Sequence, residues 1–393
     1  MRPFLKRSLG GEDASVRIRL LLLASLVACA TPGVSTGTPP LEATGSAATP
    51  ASAPAAPLLY VCVQGEARID VIDMESLEVV SSVDLMALGF SSNASPHHVA
   101  VEPDGRHWYV SLIGENRVAR FDRDNRLVAT FEMATPGMLA HDAGRELLLV
   151  SRSMSAVNPP SRVGIVETTS MEGDELDVFL PRPHPIVVSP DGRWAYTGSL
   201  GLNQLAAIDL DTEDVHLTEL GGPPHALVQF AVSPDGRWLV AGAELSGRLI
   251  VFDRADPAAP RQVASIELGA MVFDPVFSPD GQAVWVPVKG ANEVAVVSVA
   301  GWSLRARIGA ESFLQPHQIL FSPDGSRAFV SSNNTADHMA GRAGMAGHEG
   351  HAIPGEDQPA LGNVTVIDTR SHEVVEVLEL GRNVTGLGAA GAG

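Results

Sequence analysis

The sequence predicts an all-β fold: a seven-bladed β-propeller with four-stranded blades, in which blade 1 is closed by the C-terminal strand. Three observations carry this reading. One hairpin recurs as VVSPDGRWAYTGS (187–199), AVSPDGRWLVAGA (231–243), VFSPDGQAVWVPV (276–288) and LFSPDGSRAFVSS (320–332), with a more distant copy VAVEPDGRHWYVS (99–111). In each copy Pro presets the first turn angle, Asp can bond back to the backbone, and Gly takes the left-handed position. The turn glycines Gly105, Gly144, Gly192, Gly236, Gly281 and Gly325 are spaced by 39, 48, 44, 45 and 44 residues. A period in the forties with four strands per unit is the mark of a propeller. The third observation is the strand count: inner strand A is found six times, and strands B, C and D seven times each.

The elements follow in chain order. Arg17 and Arg19 precede the apolar run LLLLASLVA, which ends at Cys29 and is too short to span a bilayer as a helix. Residues 1–28 therefore read as a signal peptide. Residues 29–57, almost entirely Ala, Pro, Thr, Ser and Gly, read as a tether, because such a stretch cannot bury enough apolar surface to offset its ordering entropy. The propeller is expected over 58–393. Its B strands run from LYVCV (59–63) to AFVSS, its C strands from RIDVID (68–73) to NVTVID (363–368), and its D strands from LEVVSSVDL (77–85) to VVEVLEL (374–380). The tail NVTGLGAAG (383–391) lies where the missing A strand would begin, so it is expected to pair with the N-terminal strands and close the ring.

Composition narrows the partners. The chain of 393 residues carries 27 basic and 46 acidic side chains, a formal net charge of −19. With no basic patch, nucleic acid and anionic lipid are disfavoured. Cys62 is the one cysteine after Cys29 and lies inside an apolar strand, so a buried, inert thiol is expected, with no disulfide framework and no cysteine metal site. No GxSxG, HExxH or Walker loop occurs. Asp73, Asp122, Glu167, Asp209, Asp253 and Asp368, at the ends of the C strands, are expected to serve turns. Trp108, Trp194, Trp238 and Trp285 occupy matching B-strand places and are expected between blades.

The candidate site comes from counting back from the turn glycines. His97, His184 and His317 lie eight positions upstream, and His98 and Asp274 seven. His225 lies eleven upstream, so its equivalence needs a longer loop or a bulge. Blade 3 has Pro136-Gly137 at this place, and the closing tail offers Asn383. These positions precede strand A, on the face opposite the PDG turns, and so ring the mouth of the central channel. Imidazole is the commonest metal ligand, and several at one mouth suit copper, with zinc less favoured. The alternative is a turn preference for Pro-His, each ring bonding a neighbouring carbonyl. A second feature is the blade 7 insertion 335–362, which holds His338, Met339, Met345, His348 and His351. Thioether and imidazole together suit copper, and a B-to-C loop emerges on the same face as the histidine ring. The insertion could equally be a surface loop whose His and Met are incidental.

Two resemblances add to this reading. The PDG turn, the YV(S/T) B strand, VxVID and VVxxLxLG resemble the YVTN family of bacterial β-propellers over about residues 58–388. That resemblance implies the propeller fold, which serves periplasmic binding proteins, lactonase-like proteins and, more distantly, nitrous oxide reductase and cytochrome-type nitrite reductase. SPHHVAVEPDG…ENRVARFD (95–122) looks like the His-pair blade of nitrous oxide reductase, which would make His97 and His98 copper ligands. The chain departs from that enzyme: blades 3 and 6 lack a ring histidine, and no second domain with paired cysteine ligands follows. Leu26-Val27-Ala28-Cys29 resembles the lipobox of bacterial lipoproteins. This implies lipidation at Cys29 and anchoring in the cell envelope, on the periplasmic side of the outer membrane because Ala30 rather than Asp follows. The expected function is a lipid-anchored extracytoplasmic binding protein holding a metal ion, copper favoured. The alternatives are a propeller enzyme, either a copper-dependent oxidase or a lactonase-like hydrolase, and a scaffold that binds another envelope protein.

Overall fold

Twenty-eight strands form seven antiparallel four-stranded sheets among the described residues, 57–335 and 361–390, of a computed structural model. The A strands are Pro96–Val101, Pro136–Asp142, Pro183–Val188, Leu227–Val232, Val276–Phe277 and Pro316–Phe321, for blades 2 to 7, and Val384–Ala389 for blade 1. The B strands are Leu58–Val63, His107–Leu112, Leu147–Arg152, Trp194–Ser199, Trp238–Ala243, Ala283–Val288 and Arg327–Ser332. In every blade the sheet order is A-B-C-D, and the A strands of neighbouring blades pack on one another around the axis. The segment expected to be a signal peptide, Cys29, nearly all of the expected tether, and His338, Met339, Met345, His348 and His351 lie outside the described residues.

The ring closes as the strand count predicts. Leu59 pairs with Ala389, Tyr60 with Gly388 and Val61 with Leu387, so the first and last strands share one sheet. Every residue of the closing strand is buried. Its glycines permit this: a Cβ at Gly386 would stand 2.2 Å from the His97 carbonyl oxygen, and one at Gly388 would stand 2.6 Å from Val99. Seven apolar clusters fill the seven spaces between neighbouring blades. Cys62, Ile69, Val110 and Trp108 belong to the cluster between blades 1 and 2, and Leu59, Phe329, Val364 and Leu387 to the one between blades 7 and 1. Burial at about 25 cal/mol per Å² makes these the main stabilising interfaces. Trp108, Trp194 and Trp285 are buried as expected; Trp238 is half-buried, with Trp302 at 5.3 Å and Arg237 over its ring. Cys62 is fully buried, and burial raises its thiol pKa far above the ordinary value.

The repeated turn has a clear local cause. In Ser-Pro-Asp-Gly, the Ser hydroxyl donates to the Asp carboxylate, at 2.6 Å for Ser233–Asp235, Ser278–Asp280 and Ser322–Asp324. The same carboxylate accepts the amide two residues on, at 3.0 Å for Arg237, Gln282 and Ser326. Gly105, Gly192, Gly236, Gly281 and Gly325 all have φ between 65° and 72°. Blade 3 differs from the sequence expectation. Without Pro-Asp, the left-handed residue there is Glu146 (φ 54°) rather than Gly144, and Asp142 accepts the Gly144 amide at 3.0 Å. The aspartates ending the C strands do serve turns: Asp73 accepts from Glu75 and Ser76, and Asp368 from Arg370 and Ser371.

Candidate functional site

The head of each A strand is built alike. A left-handed residue precedes it in every blade: Ser95, Thr135, Arg182, Ala226, Met271, Gln315 and Asn383, with φ between 46° and 62°. Two positions further on stand His97, Gly137, His184, Val228, Phe273, His317 and Thr385; three positions on stand His98, Met138, Pro185, Gln229, Asp274, Gln318 and Gly386. At these positions the A-to-B register breaks, between Pro96 and Val99, Pro136 and Leu139, Pro183 and Ile186, and Pro316 and Ile319. A β-bulge leaves amides unpaired and re-aims side chains. The serine of the B strand repairs the ladder: Ser111 accepts the His98 amide at 3.2 Å, Ser151 the Met138 amide at 2.9 Å, and Ser331 the Gln318 amide at 3.2 Å. The serine of YVS thus supports the bulge that presents the ring residues.

The structure brings His97, His98, His184, His317 and Asp274 to one channel mouth. It does not bring His225 there. That ring is buried in the loop before strand A of blade 5, with Nδ1 at 2.8 Å from Ser246 Oγ and Nε2 at 3.1 Å from the Gly221 carbonyl. Val228 takes the ring position of that blade. Asn383 is likewise the left-handed residue, and Thr385 is the ring residue of blade 1. Because Thr385 is small, His97 and His317 meet across blade 1, with ring centroids 5.9 Å apart and edge to face. Phe273 packs on the other side of His317 at 5.3 Å.

Hydrogen bonds assign the imidazole tautomers. His184 Nδ1 donates to the Arg152 carbonyl at 2.7 Å, and His97 Nδ1 donates to Gln64 Oε1 at 3.2 Å. In a neutral ring each of these bonds leaves the lone pair on Nε2. His98 Nδ1 accepts the Leu139 amide at 3.3 Å, which places the ring proton on Nε2, 3.3 Å from the Gln318 side-chain amide, while Gln318 Oε1 accepts the Leu387 amide at 2.7 Å. An imidazolium would point an N–H at the Leu139 amide and lose that bond, so His98 stays neutral. Burial, then neighbouring histidines and Lys289, pushes His97 down to about 3; burial with His184 takes His98 to about 4. Burial takes His184 to about 4 and holds His317 well below the usual range. Asp274 goes the other way: burial raises it to about 8, although Lys289 draws it down.

Counting along strand A alone misses part of the mouth. Lys289, Asn333 and Gln64 each follow a B strand directly, and a second count along the B strands would have found them. Lys289 Nζ lies 2.6 Å from Asn333 Oδ1 and 4.7 Å from the Phe273 ring centre, while Asn333 Nδ2 donates to Asn383 Oδ1 and the Val384 carbonyl. Leu200, Val228 and Phe273 form an apolar sector, flanked by Met154 and Met271. Several buried polar atoms have no hydrogen-bond partner, among them His317 Nδ1, Asp274 Oδ2, Thr385 Oγ1 and Ser332 Oγ. Among the described residues no three His, Cys, Asp or Glu side chains are grouped tightly enough to hold an ion as they stand.

No protein-family model and no curated protein matches the sequence. Solved structures do match in fold. Periplasmic gluconolactonase from Pseudomonas aeruginosa aligns with a TM-score of 0.63 at 19% identity, over 85% of this chain and 98% of that one. Hydrazine synthase from Kuenenia stuttgartiensis aligns with a TM-score of 0.59 at 18% identity, over 75% and 89%. Dihydro-heme d1 dehydrogenase NirN aligns with a TM-score of 0.56 at 15% identity, over 86% and 78%. These likenesses show the seven-bladed propeller fold.

Proposed function

We propose that this propeller is a binding protein whose channel mouth takes one transition-metal ion, copper favoured, on His97, His184 and His317. One observation carries the reading: three neutral imidazoles from blades 2, 4 and 7 share the mouth, two with Nδ1–H tied to an oxygen and the third with an unpartnered Nδ1. Metal-bound histidines nearly always donate their other ring N–H in this way, which orients the ring and fixes its tautomer. Rings held neutral by burial also release no proton on binding. Closing three nitrogens onto one ion requires the rings to turn, and the unpartnered His317 has no hydrogen bond at Nδ1 to lose in turning. Asp274, whose protonated form burial favours, would supply an oxygen donor on ionising. An all-imidazole set suits copper and zinc alike, and copper binds such sites more tightly. His98 serves as wall, its Nδ1 held by the Leu139 amide. Hydrolytic or oxidative chemistry has no observation of its own at this mouth, so the reading stops at binding.

The test is metal content after dialysis of the purified full chain. Wild type is expected to retain copper stoichiometrically, and the variant with His97, His184 and His317 all changed to Ala is expected to lose one equivalent. Wild type free of stoichiometric copper or zinc, or a triple variant retaining as much as wild type, would overturn the reading. The lipobox-like tetrad supports a companion proposal, that Cys29 carries the lipid that holds the protein at the periplasmic side of the outer membrane. Changing Cys29 to Ala should then move the protein from the membrane to the soluble envelope fraction; unchanged fractionation would refute the anchor.

A further inference from the structure

Among the described residues, the three most exposed large apolar side chains stand in one sector of the mouth face. Val157 (79% exposed) lies in the B-to-C loop of blade 3, Phe179 (66%) in the connection from blade 3 to blade 4, and Leu245 (65%) in the B-to-C loop of blade 5. Leu202, nearly half exposed, stands between them in the B-to-C loop of blade 4. Strands B and D both run toward the mouth, so all four segments open on that face. Single apolar residues on a surface need no explanation, whereas a group of them in one sector marks an interaction site. Phe179 is held outward by its own backbone. Its neighbours Val178 and Leu180 are fully buried, and its φ is 59°. Bulky residues seldom adopt this left-handed conformation, and such strain persists where the surroundings fix it.

The loops of this sector are locked to one another. The Val178 amide donates to the Ser161 carbonyl at 2.8 Å, Arg182 Nη2 to the Met154 carbonyl at 2.8 Å, and the Leu200 amide to the Arg182 carbonyl at 3.2 Å. His225, which stands apart from the metal candidates, joins blades 4 and 5. Its Nε2 lies 3.1 Å from the Gly221 carbonyl, its Nδ1 2.8 Å from Ser246 Oγ, and its amide donates to Asn203 Oδ1 at 2.9 Å. A surface fixed before contact loses little freedom on binding.

Charge selects the occupant. The chain carries a net charge of −19. In segments 153–161, 178–182, 199–203, 220–226 and 244–247 the charged residues are Glu244, which is buried, and Arg182, which is half-buried. The connections on the far side of the ring expose Asp84, Glu311 and Arg382. Two copies of an acidic chain repel except where no acid faces acid, and this sector offers such ground. A twofold contact sets the same patch on both sides, and an uncharged apolar patch is complementary to itself.

We infer that a second copy of this chain docks on this sector about a twofold axis, with Phe179 of each copy packed on the aliphatic side chains of the other. The contact does not depend on whether the mouth holds copper.

The experiment is sedimentation velocity on the full chain over about a hundredfold range of protein concentration. Wild type is expected to pass from monomer to dimer. Added salt should tighten the dimer, because it screens the long-range repulsion and leaves the uncharged contact untouched. Phe179→Asp, which suits a left-handed backbone, should weaken the dimer about 30-fold or more at an unchanged melting temperature, and Leu245→Asp should weaken it less. Val80→Asp, on the outer strand of blade 1 and also exposed, is the control and should leave dimerisation as in wild type. A wild type that stays monomeric overturns the inference; if that monomer binds phosphatidylcholine vesicles, the sector faces a membrane instead. A dimer that survives Phe179→Asp, or that Val80→Asp weakens equally, overturns it as well, since the contact then lies elsewhere.

Discussion

The two ends of strand A are built on opposite principles. At the turn end Ser-Pro-Asp-Gly recurs in blades 4 to 7, and the Ser hydroxyl and Asp carboxylate find partners within the turn. The Ser hydroxyl and a backbone amide hold the Asp carboxylate below its usual range in Asp191, Asp235 and Asp280, and at about 2 in Asp324. At the mouth end the backbone repeats, with a left-handed residue and a bulge, but the side chains do not: His, Gly, His, Val, Phe, His and Thr stand at equivalent places. There burial shifts titratable groups away from their charged forms, and polar atoms lack partners. A repeat that recurs unchanged is satisfying its own chemistry. A repeat whose backbone is kept while its side chains diverge is presenting groups to something else.

The largest break in this comparison comes from removing the closing strand, which belongs to both ends at once. Truncation after Arg382 deletes Val384–Ala389, exposes the edge of Leu58–Val63 and removes buried Val384 and Leu387 from the cluster between blades 7 and 1. Burial of one such side chain is worth roughly 1.5–3 kcal/mol, so losing the strand should unfold the ring cooperatively. Thermal melting followed by circular dichroism checks this; a truncated chain that melts at the wild-type temperature would refute closure as a source of stability.

A smaller contrast sets one glycine from each end against the other. Gly236→Ala places a Cβ at φ 72° with its nearest neighbour 3.5 Å away, so only the left-handed backbone is strained, at about 1 kcal/mol. Gly386→Ala drives its Cβ to 2.2 Å from the His97 carbonyl, where backbone must move, at about 3 kcal/mol. Both lower the denaturation midpoint. The second alone should also disturb the site, because His97 and His98 move with that carbonyl, and copper affinity should fall in Gly386→Ala and hold in Gly236→Ala. Equal affinity in the two variants would break the link between the closing strand and the mouth.

The fold was legible because its cause is local and periodic. Turn chemistry, alternating burial and a period in the forties are all written in order along the chain, so blade number and ring closure could be read from spacing. His97, His184 and His317 were legible for the same reason, since the eight-residue count to the turn glycine holds in their blades. His225 misled because it shares the Pro-His dipeptide without sharing the count, and its nitrogens are taken by Ser246 and Gly221. Lys289 and Asn333 were missed because they follow strand B, and only the fold sets them against each other, against Phe273 and against the closing strand. Which groups end up without partners was not legible at all: Asp274 Oδ2 and Thr385 Oγ1 are unpartnered because of what three-dimensional neighbours fail to offer, and no linear spacing encodes that.

The subtlest way to sharpen the comparison is to remove an unsatisfied group from the mouth and ask whether the empty protein gains. Asp274 in the folded chain titrates at about 8, whereas an exposed aspartate titrates near 3.9. Its native pKa is raised, so between about pH 4 and pH 8 the folded state holds a proton that the unfolded state has released. Its contribution is therefore fully present below pH 4 and is lost as pH rises toward 8. Asn at this position has nothing to titrate. Asp274→Asn should leave the metal-free protein unchanged near pH 4 and more stable by about 1 kcal/mol at pH 7, the low end for relieving an uncompensated buried polar group. The buried histidines act in the opposite direction, destabilising as pH falls below about 6.5 because their native values are depressed. They are present in both proteins and cancel in the difference. Denaturant midpoints of the two metal-free proteins between pH 4 and pH 8 should diverge steadily with rising pH. Parallel curves would mean that Asp274 is already satisfied, and that the mouth resembles the turn end more closely than its unpaired atoms indicate.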